Sequence, residues 1–313
     1  MNSANLPPAP VFLAGPTAVG KSEIALLLAE RLGGEIISVD SMQVYRELDI
    51  GTAKPSLADR ARVPHHLIDV VELTAPFDAA QFARLAQAAV AEIQGRGRVP
   101  ILCGGTGLYF KAFLEGLGEA PPAHEKLRAE LEATPLPDLL CELAERDPET
   151  YAKIDGNNPR RVIRAVEVIR LTGKPFSQQK AEWKAAGRRQ KAEGFFGLSR
   201  ATDDLRKRID ARVAEMFRLG LVQETAQLLK HGLAQNKTAM QAIGYRQVVE
   251  HLRGERSLEE TISLVKIRTR QFAKRQMTWF RRQLRLEWIE LKPDDSPESV
   301  SRKVCNLLGD GQQ

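Results

Sequence analysis

Short apolar runs recur along the first part of the chain, and each leads into a polar stretch before helical spacing takes over. Residues 11–14, 35–39, 67–71 and 99–103 are runs of this kind, and bounded by turn residues they read as buried strands. Between them, 23–32 has helical spacing and stops at Gly33-Gly34. Asp78 with Gln81 forms a capping signature ahead of Phe82, Leu85, Ala89 and Ile93, which share one helical face. Alternation of this sort predicts a mostly parallel sheet with right-handed crossovers.

From Glu115 the pattern changes to helices bounded by prolines, acidic at first and basic towards Arg189. The clearest begins at Asn158-Pro159, a cap followed by proline at the first helical position, and ends near Gly173. Its core stripe is Val162, Ile163, Val166 and Ile169. Arg160, Arg161 and Arg164 crowd its first turns, where the helix dipole disfavours cations, so they either meet an anion or are solvated. Residues 195–198 then read as a strand returning to the sheet. The helix 205–219 places Leu205, Ile209, Val213, Met216 and Phe217 on one arc, with Arg212 at its margin. An arginine there serves either an internal salt bridge or a bound phosphate. The organisation expected is 1–116 as the first part of an α/β core, 117–194 as a helical insertion, and 195–313 as the return to the core plus basic helices.

Composition narrows the class. The chain has 313 residues, 43% of them apolar, enough for a sizeable core. No charged-then-apolar leader and no long apolar span is visible, so a soluble cytoplasmic protein without membrane contact is expected, with 2–10 as a loose tail. Cys103, Cys141 and Cys305 are scattered and give neither a zinc nor a disulfide pattern. Residues 1–150 carry 13 Lys+Arg against 21 Asp+Glu and the remainder 33 against 19, so the front nets −8 and the back +14. That polarity fits a small anionic ligand in front and a large polyanion behind.

The candidate chemistry starts at Gly15-Pro16-Thr17-Ala18-Val19-Gly20-Lys21-Ser22, between a strand and a helix. This G-x-x-x-x-G-K-[ST] spacing lets backbone N–H groups and Lys21 surround a phosphate while the Ser22 hydroxyl serves a magnesium ion. The expected fold is α/β, a P-loop nucleoside-triphosphate-hydrolase-like parallel sheet core with a helical insertion domain and a basic C-terminal helical region. Asp40 ends the second strand on the same rim, either as a reactive carboxylate or as a turn cap. Gln43, Tyr45 and Arg46 are exposed candidates in the loop 41–54, and Gly104-Gly105-Thr106-Gly107 forms a second loop at a strand end. His65-His66 has no metal-ligand partners at useful spacing and reads as structural or as sitting at the edge of a site. From 266 to 285 the chain holds Lys266, Arg268, Arg270, Lys274, Arg275, Arg281, Arg282 and Arg285 with no acid, interleaved with Phe272, Trp279 and Phe280. Cations mixed with aromatics suit a nucleic-acid backbone and stacked bases.

Besides the phosphate loop the chain holds Ser38-Val39-Asp40-Ser41-Met42-Gln43-Val44-Tyr45, Asp49-Ile50-Gly51-Thr52-Ala53-Lys54-Pro55, Gly104-Gly105-Thr106-Gly107-Leu108-Tyr109, Ile243-Gly244-Tyr245-Arg246-Gln247 and Lys274-Arg275-Gln276-Met277-Thr278-Trp279. With these motifs in this order the chain resembles the tRNA dimethylallyltransferases. The resemblance implies transfer of a dimethylallyl group from dimethylallyl diphosphate to N6 of the adenosine 3′ of the anticodon. The phosphate loop then holds the donor diphosphate with Mg²⁺, although the motif alone fits a nucleotide such as ATP. By position, Asp40 is implied as general base, Thr106 as a contact to the base, and Lys21, Ser22 and Arg212 as holders of the departing diphosphate. Contacts to the anticodon stem-loop are implied for Asp40, Ser41, Met42, Gln43, Thr106, Arg128, Arg160, Arg161, Val162, Ile163, Arg164, Gln241, Ala242, Ile243, Gly244, Tyr245, Arg246, Lys274, Arg275, Gln276, Met277, Thr278, Trp279, Phe280 and Arg281. A bacterial-type monomer without a zinc finger is expected. A small-metabolite kinase, a nucleotide-switched RNA-binding protein and an isopentenyltransferase acting on free adenylates are the competing classes.

Overall fold

The sheet is built from six strands, β1 Val11–Ala14, β2 Gly34–Val39, β3 His65–His66, β4 Val99–Gly104, β5 Phe195–Arg200 and β6 Glu287–Leu291. All run parallel, in the order β3-β2-β4-β1-β5-β6. The structure is a computed structural model that describes residues 8–116, 121–122, 124–178 and 194–310. Every residue of β1 is buried, as expected of a strand covered on both faces. Successive side chains take opposite faces: Leu13 joins a core with Ile24 and Leu28 of the helix Lys21–Leu32 and Val300 and Val304 of the helix Pro297–Asp310. Phe12 packs on Phe113 and Phe195 on the other face.

The chain divides into two compact units, 1–113 with 191–313, and 114–190. The second unit has its own core of Leu131, Leu139, Leu143, Val162, Ala165, Val166 and Ile169. Its helix Pro159–Thr172 is capped by the Asn158 side chain and stopped by Gly173, as the sequence predicts. The basic end expected for the insertion, and most of the expected amino-terminal tail, lie outside the described residues.

The run 67–71 is not a strand. Leu67 and Asp69 have φ of 60° and 56°, which breaks extension, and β3 instead uses His65 and His66 opposite Ile36 and Ile37. Leu67 and Ile68 are buried all the same, whereas Val70 is exposed, so two buried apolar residues help make a strand-like run without a strand. The two histidines are structural: His66 Nε2 lies 2.7 Å from the buried Glu35 carboxylate and His65 Nδ1 2.8 Å from Val63 O.

Candidate active site

The strand order fixes where the chemistry gathers. Because β4 lies between β2 and β1, the loops leaving β1, β2 and β4 are neighbours at the carboxyl edge of the sheet. They line one cavity of about 350 Å³ with Thr17, Lys21, Ser22, Asp40 and Thr106 in its wall. Arg212, from the helix Thr202–Arg218, and Phe272, Arg275 and Gln276, from the helix Leu258–Gln283, complete it.

The phosphate loop turns into its helix at Gly20, whose φ of 110° disfavours any residue with a Cβ. Lys21 Nζ folds back to donate to Pro16 O at 2.6 Å. Burial pushes its pKa down to about 8; the Cys103 thiol beside it acts against this shift, Arg212 adds to it, and Asp40 opposes it. Cys103 itself is pushed up to about 11 by burial, with Lys21 pulling the other way. Arg212 is held below the usual guanidinium range by burial, with Asp40 opposing. Among the described residues no carboxylate lies within ion-pair distance of Arg212 and no hydrogen bond holds its guanidinium. The internal salt bridge that would have explained its place is not formed.

Asp40 combines the two roles its sequence position left open. Its Oδ1 accepts the N–H groups of Met42 and Gln43 at 2.8 and 3.2 Å, an Asx-type turn, and its side chain still lines the cavity. Thr106 Oγ1 accepts Ser41 N–H at 3.1 Å, which ties the β4 loop to the β2 loop.

The loop 41–54 is more internally committed than its polar sequence indicates. The Gln43 amide accepts from Ser38 Oγ at 2.8 Å and donates to Thr52 O and Ala53 O at 3.1 and 3.2 Å. Tyr45, expected at the surface, is fully buried. Lys54 has only 2% of its side chain exposed and donates to Tyr45 O and to Asp49 at 2.6 Å, and pairs with Asp69 as well. Lys54 belongs to one of the family-like motifs, but its sequence position suggests no task for it. Glu224 is invisible to sequence reasoning: its carboxylate accepts Ile50 N–H at 2.8 Å and the Tyr245 hydroxyl at 2.6 Å, and no local pattern marks it.

Several residues implied as RNA contacts are buried. Val162, Tyr245 and Phe280 are wholly buried, and Ala242, Gly244 and Gln276 are nearly so. Arg164, and Arg128 from the helix Glu125–Ala133, both pair with the buried Glu167 at 2.6 Å, so Arg164 meets an anion on its own helix. Trp279 covers Gly107 so closely that a Cβ there would lie 2.1 Å from the indole. By contrast Arg161, Gln241, Arg246, Lys274, Arg275, Thr278 and Arg281 are exposed, as is Arg160. Phe272 is 38% exposed, with the Arg275 guanidinium 5.9 Å from its ring centroid. Ser41, Met42, Ile163, Ile243 and Met277 are partly exposed.

The sequence model of the family described as "IPP transferase" matches residues 43–283. The chain belongs to that family. The phosphate loop and Asp40 precede the matched span, but relatives that cover 97% of the chain extend over them. The tRNA dimethylallyltransferase 1 of Citrifermentans bemidjiense is 45% identical over 280 residues, 90% of this chain and 91% of that protein. The tRNA dimethylallyltransferase of Pelotomaculum thermopropionicum is 40% identical over 97% of this chain and 98% of that one. Among solved structures, the tRNA isopentenylpyrophosphate transferase from Bacillus halodurans matches with TM-score 0.69 at 39% identity, covering 97% of this chain and 98% of that one. A eukaryotic dimethylallyltransferase acting on tRNA matches with TM-score 0.74 at 29% identity, covering 90% of this chain and 74% of that one.

Proposed function

We propose that this family member transfers the dimethylallyl group of dimethylallyl diphosphate to N6 of the adenosine immediately 3′ of the anticodon in tRNA, releasing diphosphate. The observation that carries this reading is one cavity holding a phosphate loop, a carboxylate and an arginine, Arg212, that makes no ion pair among the described residues. A bond forms between N6 and the allylic carbon as the carbon–oxygen bond to diphosphate breaks, and the N6 proton passes to Asp40. An exocyclic amine is a poor nucleophile because its lone pair is delocalised, so removing that proton helps as the new bond forms. Lys21, Arg212 and the loop N–H groups stabilise the charge gathering on the diphosphate. Thr106 faces the base.

Magnesium fits the residues present as an ion carried mainly by the diphosphate. Among the described residues no cluster of three or more His, Cys, Asp or Glu forms a protein cage, and Ser22 offers a hydroxyl on the cavity wall. Bound there, it would supply further charge neutralisation to the leaving group.

The RNA side of the reading rests on the exposed cations Lys274, Arg275 and Arg281 of the helix 258–283, on Arg246, and, in the second unit, on Arg160 and Arg161. Phe272, rather than Trp279, offers a ring for stacking at the cavity. A free-adenylate enzyme or a small-metabolite kinase has no use for that surface. No helix among the described residues is long and apolar enough to cross a membrane, and the reading is of a monomer working in the cytoplasm. The test is incubation with tRNA, Mg²⁺ and labelled dimethylallyl diphosphate. Label entering RNA at that adenosine supports the reading; label confined to free nucleotides, or ATP turnover without RNA, sinks it.

A further inference from the structure

The phosphate loop has a back as well as a front. In a trans peptide unit C=O and N–H point in opposite directions, so tying a loop's carbonyls on one side aims its N–H groups to the other. Here the tied carbonyls are those of Ala18 and Val19. Arg208 Nε donates to Ala18 O at 3.0 Å and Arg200 Nε donates to Val19 O at 2.9 Å. The N–H groups opposite them in the same two peptide units belong to Val19 and Gly20.

Local preference does not favour this shape. Ala18 has φ 63°, the left-handed conformation that a residue with a Cβ adopts at a cost, and Gly20 follows at 110°. Both guanidinium groups stand close behind: a Cβ on Gly20 would lie 3.9 Å from an Nη2 of each. Neither arginine lines the cavity. Arg200, at the end of β5, is itself held by Asp204 at 2.8 Å and by Lys292 O at 3.1 Å. Arg208 precedes Arg212 by one helical turn, so a single helix presents one arginine to the back of the loop and another to its front.

We infer that Arg208 and Arg200 are positioning residues that aim the Val19 and Gly20 N–H groups at the diphosphate, and so set donor affinity without touching the donor. The inference rests on the reading of the cavity as a diphosphate site.

Arg208 is the cleaner probe, because it is exposed and Ala18 O is its hydrogen-bond partner among the described residues. The bond is made by Nε, and glutamine carries its amide nitrogen the same number of bonds from the backbone. Arg208→Gln therefore keeps the donor and removes the charge, whereas Arg208→Ala removes both. The experiment titrates inorganic pyrophosphate with Mg²⁺ into the full-length wild type and both variants, beside thermal melts and tRNA-binding isotherms without donor. In Arg208→Ala the pyrophosphate Kd should rise about tenfold or more, as for loss of a charge-assisted hydrogen bond, with Tm and tRNA affinity unchanged. Arg208→Gln should recover a large part of the loss. Wild-type pyrophosphate affinity in Arg208→Ala would overturn the inference. A glutamine variant as weak as the alanine one would overturn it too, since the loss would then follow charge rather than the carbonyl bond. If the wild type itself failed to bind pyrophosphate, the reading of the cavity would fall instead.

Discussion

The Gln276 side chain accepts the Thr17 backbone N–H at 2.8 Å, across 259 residues of sequence, and donates to Gly105 O at 2.9 Å. A residue of the basic helix thus fastens the phosphate loop to the loop that carries Thr106. Gln276→Ala leaves a donor and an acceptor unpaired in a largely buried place and should cost roughly 1–3 kcal/mol in chemical denaturation. Gln276→Glu keeps the acceptor for Thr17 but brings a negative charge to the diphosphate site. It should weaken pyrophosphate binding more than the alanine variant does. An unchanged unfolding midpoint for Gln276→Ala would show that the fastening carries no energy.

Asp40→Asn should retain the turn, because an amide oxygen can still accept the Met42 and Gln43 N–H groups, but it cannot take up a proton. Single-turnover transfer should fall by about 10² to 10⁴, with tRNA affinity little changed. Near-normal transfer would remove Asp40 from the chemistry.

Arg212 has no internal ion pair to lose. Arg212→Ala should therefore leave Tm unchanged or raise it, since a largely enclosed cation held by no ion pair is removed. Pyrophosphate binding should weaken. A lowered Tm with normal pyrophosphate affinity would return Arg212 to a structural role.

Lys21 has a pKa of about 8, lowered mainly by burial, and the ammonium is the form that attracts diphosphate. Pyrophosphate affinity should fall as pH rises through about 8, and binding just above that pH should take up protons. Stability of the ligand-free protein follows the opposite sign. Its folded value lies below the ordinary 10.5, so the unfolded chain binds more protons between about 8 and 10.5 and the Lys21 contribution to stability rises with pH there. Lys21→Met should abolish both dependences, as checked by calorimetry in buffers of different ionisation enthalpy and by denaturation across this range. Identical pH profiles for wild type and variant would contradict the assignment.

The basic helix separates into engaged and available cations. Arg270 is paired with Asp210, whereas Arg275, Arg281 and Arg282 are exposed. Neutralising those three should flatten the log–log salt dependence of tRNA affinity by about 0.7 to 0.9 for each phosphate no longer neutralised. Phe272→Ala should instead weaken tRNA binding by about 1–3 kcal/mol without changing the slope. If the slope is unchanged in the triple variant, the RNA is held elsewhere.

What the sequence determined by itself is what contiguous residues can encode. The phosphate loop, the Asp78–Gln81 capping box, the Asn158 cap and the Gly173 stop are local, because their hydrogen bonds close within a few residues. The strand-to-helix alternation likewise implied a parallel sheet with its chemistry on the carboxyl edge. Tertiary structure decided everything that depends on which distant groups meet. It left Arg212 without an ion pair and gave Arg164 and Arg128 one, in Glu167. It set Trp279 to cover Gly107 while Phe272 kept an exposed ring, although both read alike as aromatics in a basic run. It turned the apolar run 67–71 into a loop with Leu67 and Ile68 buried and Val70 exposed, because apolar content reports burial at most whereas extension depends on φ and on a neighbouring strand to pair with. The partners of Gln276, Lys54 and Glu224 lie on loops whose conformation exists only once the sheet has brought the strand ends together, and no spacing along the chain can specify that encounter.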